Sequence, residues 1–271
     1  MIQHDRMKTL IFIQQFTNMR LFIFLFLLIF SLNFQAHVSS EDNLKPVVIP
    51  SFVIGQSMPF GHYATINGTS SGSSGFADPG LAYELGIMFM AGPTFGVTIT
   101  FSRFSNPVND DRLSNYLKSR FYTFNGEPIN FNVDVGNWNN NTFLIGIAYK
   151  MAQKKVSFDL NLKLGVLSSA TPKVRIDSVD ANGNSYDWYK SNSDRNFGIA
   201  GSIGAQFRFL VVKSLYLNLN SSFLVSSFQL NNQVYHEHYD PYSQGFAGSG
   251  GNLNFGTFNL MLGFSYEFKL K

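Results

Sequence analysis

NFGTFNLMLGFSYEFKL, residues 254–270, decides the fold. At a period of two, Phe258, Leu260, Leu262, Phe264, Tyr266, Phe268 and Leu270 fall on one face. Thr257, Asn259, Met261, Gly263, Ser265, Glu267 and Lys269 fall on the other. Strict alternation marks a β-strand, because successive side chains point to opposite sides of a sheet. An unbroken apolar face opposite one with ionic ends is expected where one side meets lipid and the other a wet or polar interior.

Seven further segments alternate in the same way, over 51–60, 81–90, 95–102, 142–150, 156–167, 197–209 and 215–226. Between the eight strands the connections run long, short, long, short, long, short, long. An antiparallel meander then collects every long connection at one end and every tight turn at the other. Transmembrane barrels show that asymmetry, with an even strand number. The expected fold is all-β: an eight-stranded antiparallel transmembrane β-barrel of up-and-down meander topology. Within the second long connection, Asp110–Arg120 predicts a short helix, with Leu113, Tyr116 and Leu117 on one face at helical spacing. Asn182-Gly183 predicts a hairpin tip in the third.

Aromatic residues give an independent criterion. Phe89, Phe95, Tyr149, Phe158, Phe207, Tyr266 and Phe268 cluster toward the tight-turn end of the apolar faces. Tyr83, Phe101, Phe143, Phe197, Phe223 and Phe258 cluster toward the long-loop end, with aliphatics such as Ile87, Ile145 and Ile203 between. Two aromatic girdles around an aliphatic band are the pattern of a bilayer-spanning barrel. An eight-stranded soluble carrier of the lipocalin type is the competing architecture. The two differ in direction: in a membrane barrel Leu260, Phe264 and Ile203 point out and Asp159 and Arg208 point in, whereas a soluble carrier reverses them.

Composition agrees. The 271 residues are 45% hydrophobic and 16% aromatic, with 29 Phe and 12 Tyr, and only 14% are charged, against about 25% in typical soluble domains. Mean hydropathy is close to zero, as when apolar residues are spread over strand faces. The absence of Cys excludes a disulfide framework, a Cys-based zinc site and a thiol nucleophile. Met19-Arg20 precedes an apolar run over 21–32 that leads to Asn33-Phe34-Gln35-Ala36. A basic residue, about a dozen apolar residues and a small residue at the exit describe a secretory leader, and the run is too short for a membrane helix of about 20 residues. The organisation expected is a leader over 1–36, with Met19 as candidate start, a periplasmic lead-in over 37–50 and an outer-membrane barrel over 51–271. Loss of 1–36 takes Arg6, Lys8, Arg20 and Asp5 with it, lowering the net charge from +3 to +1. No basic stripe for a phosphate backbone appears, so nucleic acid is not an expected partner.

The run Gly263-Phe264-Ser265-Tyr266-Glu267-Phe268 resembles the C-terminal assembly signal of bacterial outer-membrane proteins, here carried by Gly263, Tyr266 and Phe268. It departs from the usual form at Met261 and in the trailing Lys269-Leu270-Lys271. Pro59-Phe60-Gly61-His62-Tyr63, Gly75-Phe76-Ala77-Asp78-Pro79-Gly80 and residues 138–173 look like the outer-membrane β-barrel domain proteins of the Bacteroidetes, similar in architecture to small OmpA/OmpX-type barrels. The resemblance spans 51–271. It implies residence in a Gram-negative outer membrane, with outer-membrane lipid and the barrel-assembly machinery as partners, and brings no catalytic residue.

An eight-stranded barrel has an interior just wide enough for side chains to fill. Buried charges persist when paired, so Glu84, Asp159, Lys163, Arg208 and Glu267 are expected to form a lumen ion-pair network, with Asp159–Lys163 and Arg208–Glu267 as pairs. Lys150, Arg208, Glu267 and Lys269 have the alternative of reaching water at the periplasmic mouth. His236-Glu237-His238, with Asp240 nearby, is a metal-like cluster read as a solvated loop, without metal or cofactor. His62 and Ser221 are loose candidates for hydrolytic chemistry, which needs a Ser, a His and an acid together. The expected role is non-enzymatic: a structural or surface-displaying barrel whose long loops meet an extracellular ligand or partner. A narrow channel for a small solute is the alternative, and a lipid-modifying hydrolase the third.

Overall fold

A strand with one bulky apolar face and one small or polar face needs cover on both, and an open sheet leaves unpaired edges as well. Closure into a barrel removes the edges. The computed structural model describes residues 45–64, 75–120, 123–124, 127–128, 130–153, 155–179, 183, 185–230 and 252–270. The leader, Asn182 and His236-Glu237-His238 with Asp240 lie outside the described residues.

In chain order the elements are β1 (Val47–Pro59), a single 3-10 turn (Gly61–Tyr63), β2 (Gly80–Met90), β3 (Phe95–Asn106), α1 (Asp110–Arg120), the two-residue strands β4 (Thr123–Phe124) and β5 (Glu127–Pro128), β6 (Asn130–Val135), β7 (Trp138–Gln153), β8 (Val156–Ala170), β9 (Val174–Val179), β10 (Ser185–Ser191), β11 (Arg195–Val212), β12 (Leu215–Gln229), β13 (Asn252–Tyr266) and β14 (Phe268–Lys269). Strands β1, β2, β3, β7, β8, β11, β12 and β13 pair antiparallel in that order, and β13 pairs back onto β1. The seam runs from Ser51↔Ser265 to Pro59↔Thr257, and β14 prolongs it without a register break through Val48↔Phe268. The fold is a closed eight-stranded antiparallel barrel, as the alternation and connection lengths predict.

Direction decides between the two architectures. Leu260, Phe264 and Ile203 stand outward, 42%, 55% and 60% exposed, while Asp159 and Arg208 are fully buried inside. Outward rings touch one another at both ends of the strands. Near the tight turns Phe95 meets Tyr149 (5.1 Å), Phe158 meets Phe207 (4.6 Å) and Tyr266 meets Phe268 (4.5 Å). At the long-loop end Phe223 meets Phe258 (4.8 Å) and Phe60 (6.3 Å).

The strands run further than the apolar pattern suggests. β1 begins at Val47, inside the expected lead-in, because Ile49 already points inward and is buried; the neighbouring Pro46 and Pro50 obscure that alternation in the sequence. β3 extends to Asn106, β7 starts at Trp138 and β8 continues to Ala170. There the inward positions include Asn106, Asn140 and Ser169, all fully buried, which bond to buried partners beside the apolar Phe104 and Trp138.

Two long connections carry ordered structure of their own. Helix α1 occupies the predicted Asp110–Arg120. Asn109 caps it by accepting the Arg112 amide at its side-chain oxygen (2.8 Å), and Asp110 and Asp111 suit the positive end of the helix dipole. Leu113 packs with Val133 and Val174 against the buried Phe131 and Ile176, and Tyr116 lies 5.8 Å from the Phe76 ring. The Leu117 side chain is outside the described residues. The predicted hairpin is β9–β10, with Gly183 at φ +85. The sequence alternation did not indicate that β6 joins it to make a three-stranded sheet β10-β9-β6.

Candidate functional site: the barrel interior

The inward rows of the eight strands meet in three tiers. Nearest the tight turns, the Arg208 guanidinium on β11 lies side-on to Asp159 on β8. Nε donates to Oδ2 and Nη2 to Oδ1 (3.1 Å), and Nη2 also reaches Ser157 Oγ (3.1 Å). Ser157 in turn donates to Asp159 Oδ1 (3.0 Å). Both charged groups have no exposed side-chain surface, so the pair and its hydrogen bonds are what make their burial tolerable. The Arg208 Cζ also stands 5.3 Å over the Tyr216 ring. Beside it Lys150 Nζ donates to Glu267 Oε2 (3.2 Å), while Arg208 Nη1 is 4.0 Å from the same oxygen.

At mid-height Lys163 reaches Glu84 (3.3 Å to Oε2), which also accepts from Ser102 Oγ (2.9 Å) and Asn220 Nδ2 (3.3 Å). Thr98, Thr100, Asn161 and Gln206 join these groups around a cavity of about 20 Å³, room for a single water.

The third tier closes the long-loop end. Tyr63, carried by the 3-10 turn and not by a strand, points inward and is fully buried. Its ring stands 5.4 Å from Trp138 and 4.4 Å from Phe255. Its hydroxyl donates to Asn106 Oδ1 (3.3 Å) and accepts from Asn140 Nδ2 (2.9 Å). Burial pushes the Tyr63 phenol above its ordinary value, partly offset by the bond from Asn140. The returning chain clamps it: the Gly75 amide donates to His62 O (3.0 Å), the Ala77 amide to Tyr63 O (3.1 Å) and Trp138 Nε1 to Gly75 O (2.8 Å). A Cβ on Gly75 would collide with the Tyr63 backbone. The runs 59–63 and 75–80 and the start of 138–173, noted above for their resemblance, therefore meet at one spot.

The expected lumen residues all lie inside; of the two pairs expected, Arg208–Glu267 is present and Asp159–Lys163 is not. Asp159 does not pair with Lys163. The two share a strand face four residues apart, about 13 Å along an extended chain, so each finds a partner across strands: Asp159 takes Arg208, and Lys163 takes Glu84. Arg208 and Glu267 form the expected ion pair at 4.0 Å, and Lys150 stands closer to the same carboxylate oxygen, at 3.2 Å. Of the groups that had water as an alternative, Lys269 is exposed and Arg208 is not. The Tyr63 plug was missed in the sequence; its signal was an isolated aromatic between glycines in an otherwise small, polar connection.

His62 and Ser221 are not brought together. Ser221 pairs with Leu260, which pairs with Gln56, and its hydroxyl donates to Ala205 O (3.4 Å). His62 belongs to the turn beyond Pro59. In the C-terminal run, Gly263 faces inward where a Cβ would strike the backbone of Phe52 and Val53 on β1, so the closing seam needs glycine there. Tyr266 and Phe268 face out, half exposed.

No protein-family model and no curated protein matches the chain. Several solved structures are similar to it. Neisserial surface protein A shares 9% identity over 82% of this chain and 97% of its own, with a TM-score of 0.39. A major outer membrane protein from Thermus thermophilus shares 10% over 82% and 99%, at 0.44. The outer membrane protease OmpT from Escherichia coli shares 10% over 86% and 99%, at 0.41. At these identities and scores no activity and no residue role passes to this chain.

Proposed function

We propose that this chain is a non-enzymatic barrel of a Gram-negative outer membrane, of the small OmpA/OmpX-like kind, that holds an ordered loop layer at the cell surface. The observation that carries the reading is the pairing of an exposed apolar belt with an interior closed by the chain's own side chains. Ile87, Leu164, Ile199 and Leu262 are each more than half exposed; a continuous surface of this kind calls for lipid or another apolar cover. Inside, the Arg208–Asp159 and Lys163–Glu84 tiers and the Tyr63 plug favour a sealed lumen over a narrow channel. The separation of His62 from Ser221 speaks against the hydrolase. On this reading the tight turns, the start of β1 and the end of β14 lie in the periplasm, and the assembly machinery engages Gly263, Tyr266 and Phe268. The long connections, including α1 and β6-β9-β10, meet a surface partner.

Reconstitution in a planar bilayer tests the sealed lumen. The wild-type barrel is expected to give no stepwise openings; regular conductance steps would replace this reading with the channel. Protease added to intact cells is expected to cut within 107–137 or 171–194 and leave the barrel strands whole.

A further inference from the structure

Among the described residues, the tight-turn end exposes charge of one sign. Lys45, Lys155, Lys213 and Lys269 are exposed there, and none makes an ion pair among the described residues. Lys154 and Lys271 stand next to Lys155 and Leu270 in the sequence. Among the described residues the carboxylates at that end, Asp159 and Glu267, are turned inward and held by Arg208 and Lys150, and in the sequence Glu41 and Asp42 precede Lys45. The β2–β3 turn, Ala91-Gly92-Pro93-Thr94, is uncharged. At the opposite end the signs are mixed: Asp110, Asp111 and Asp134 are exposed alongside Lys118, Lys173 and Lys190.

Position singles out a partner. The lysines lie just past the girdle of Phe95, Phe207, Tyr266 and Phe268. At the β11–β12 turn Val211 and Val212 are 56% and 60% exposed immediately before Lys213, and Val156 is exposed immediately after Lys155. An apolar tip followed by an ammonium suits the boundary between acyl chains and headgroups, where a lysine stem stays in the apolar layer and its charge reaches out. We infer that this lysine collar is a docking surface for anionic phospholipid headgroups, those of the phosphatidylglycerol type, in the leaflet on the tight-turn side.

The inference rests on the membrane-spanning reading above. An ammonium near an anionic lipid surface gains Coulomb energy that salt screens within about 10 Å at 0.1 M. The collar therefore recruits anionic lipid around one end of the barrel and fixes its depth and orientation.

The test uses the full barrel refolded into phosphatidylcholine vesicles with spin-labelled phosphatidylglycerol or phosphatidylcholine as probe. Insertion is scored first, from the heat-dependent shift of the folded band in SDS gels. The expected result is a roughly two- to fivefold preference for the anionic probe at low salt, falling toward parity in 1 M salt. Lys155→Gln/Lys213→Gln/Lys269→Gln is expected to abolish it, and Lys118→Gln/Lys190→Gln to leave it intact. Equal association of both probes with the inserted wild type would overturn the collar while leaving the barrel reading in place. Failure to insert at all would remove the membrane-spanning reading itself. Lysine-dependent binding to isolated peptidoglycan without lipid preference would overturn the inference in favour of the cell wall.

Discussion

Arg208 has no exposed side-chain surface, so its charge is sustained by Asp159, Ser157 and the Tyr216 ring. Removing one partner leaves a buried charge uncompensated, and Asp159→Ala is expected to cost about 3–5 kcal/mol in reversible denaturant unfolding. The paired replacement Asp159→Leu/Arg208→Met removes both charges and is expected to return stability to near wild type, because a well-packed apolar pair avoids the desolvation cost. A double variant as unstable as the single one would show that the pair does more than neutralise itself. Tyr63→Phe strips a hydroxyl from Asn106 and Asn140 and is expected to cost about 1–3 kcal/mol, read in the same assay. Which residues face the lumen was legible at this scale, since parity along a strand assigns Glu84, Asp159, Lys163, Arg208 and Glu267 to one side. Of their partners only the Arg208–Glu267 contact was; Arg208–Asp159 and Lys163–Glu84 were not. Pairing depends on the register between β8 and β11, where Asp159 stands opposite Gln206 and reaches Arg208 on the diagonal, and a single sequence does not state that register.

The elements show the same division. Helix α1 was legible because its information is local: two aspartates in the first turn, and Leu113 and Tyr116 at helical spacing. The sheet β10-β9-β6 was not, because β6 and β9 pair across β7 and β8, as Phe131↔Ser178 and Val133↔Ile176 show. Among the described side chains, Phe131 and Ile176 form the sheet's buried apolar cluster, with Leu113, Val133 and Val174 packed against them. Phe131→Ala is therefore expected to loosen the loop layer by about 3–5 kcal/mol while leaving the barrel closed. Hydrogen exchange would quicken in β6 and β9 and stay slow in β7 and β8. Equal loss of protection in the barrel strands would mean that the loop layer and the barrel unfold as one unit. The extension of β3 to Asn106 and of β8 to Ala170 belongs to the same lesson. Inward asparagines and serines that bond to one another sustain a strand as well as alternating apolar side chains do, but they leave no apolar rhythm behind.

Taken whole, the molecule sets its apolar belt outside and its charges inside, and that inversion makes a demand on the surroundings that substitution can measure. Ile203 lies in the middle of β11, opposite Leu162 and Phe223, and is 60% exposed. Leu81 lies at the long-loop end of β2 and is 54% exposed. Near-equal exposure predicts near-equal tolerance of arginine if both face water, within about 0.5 kcal/mol. In a bilayer they separate by depth. Arginine at the midplane of a lipid-facing strand costs about 2–4 kcal/mol and close to the interface about 0–1. Ile203→Arg is therefore expected to destabilise the refolded barrel in phospholipid vesicles by several-fold more than Leu81→Arg, with Ile145→Arg and Leu162→Arg grouping with Ile203. Equilibrium refolding in urea at matched lipid composition reads all four. A flat profile would mean that the belt is not covered by acyl chains, and the lipid-facing assignment of these strands would have to be withdrawn although every strand pairing stood unchanged.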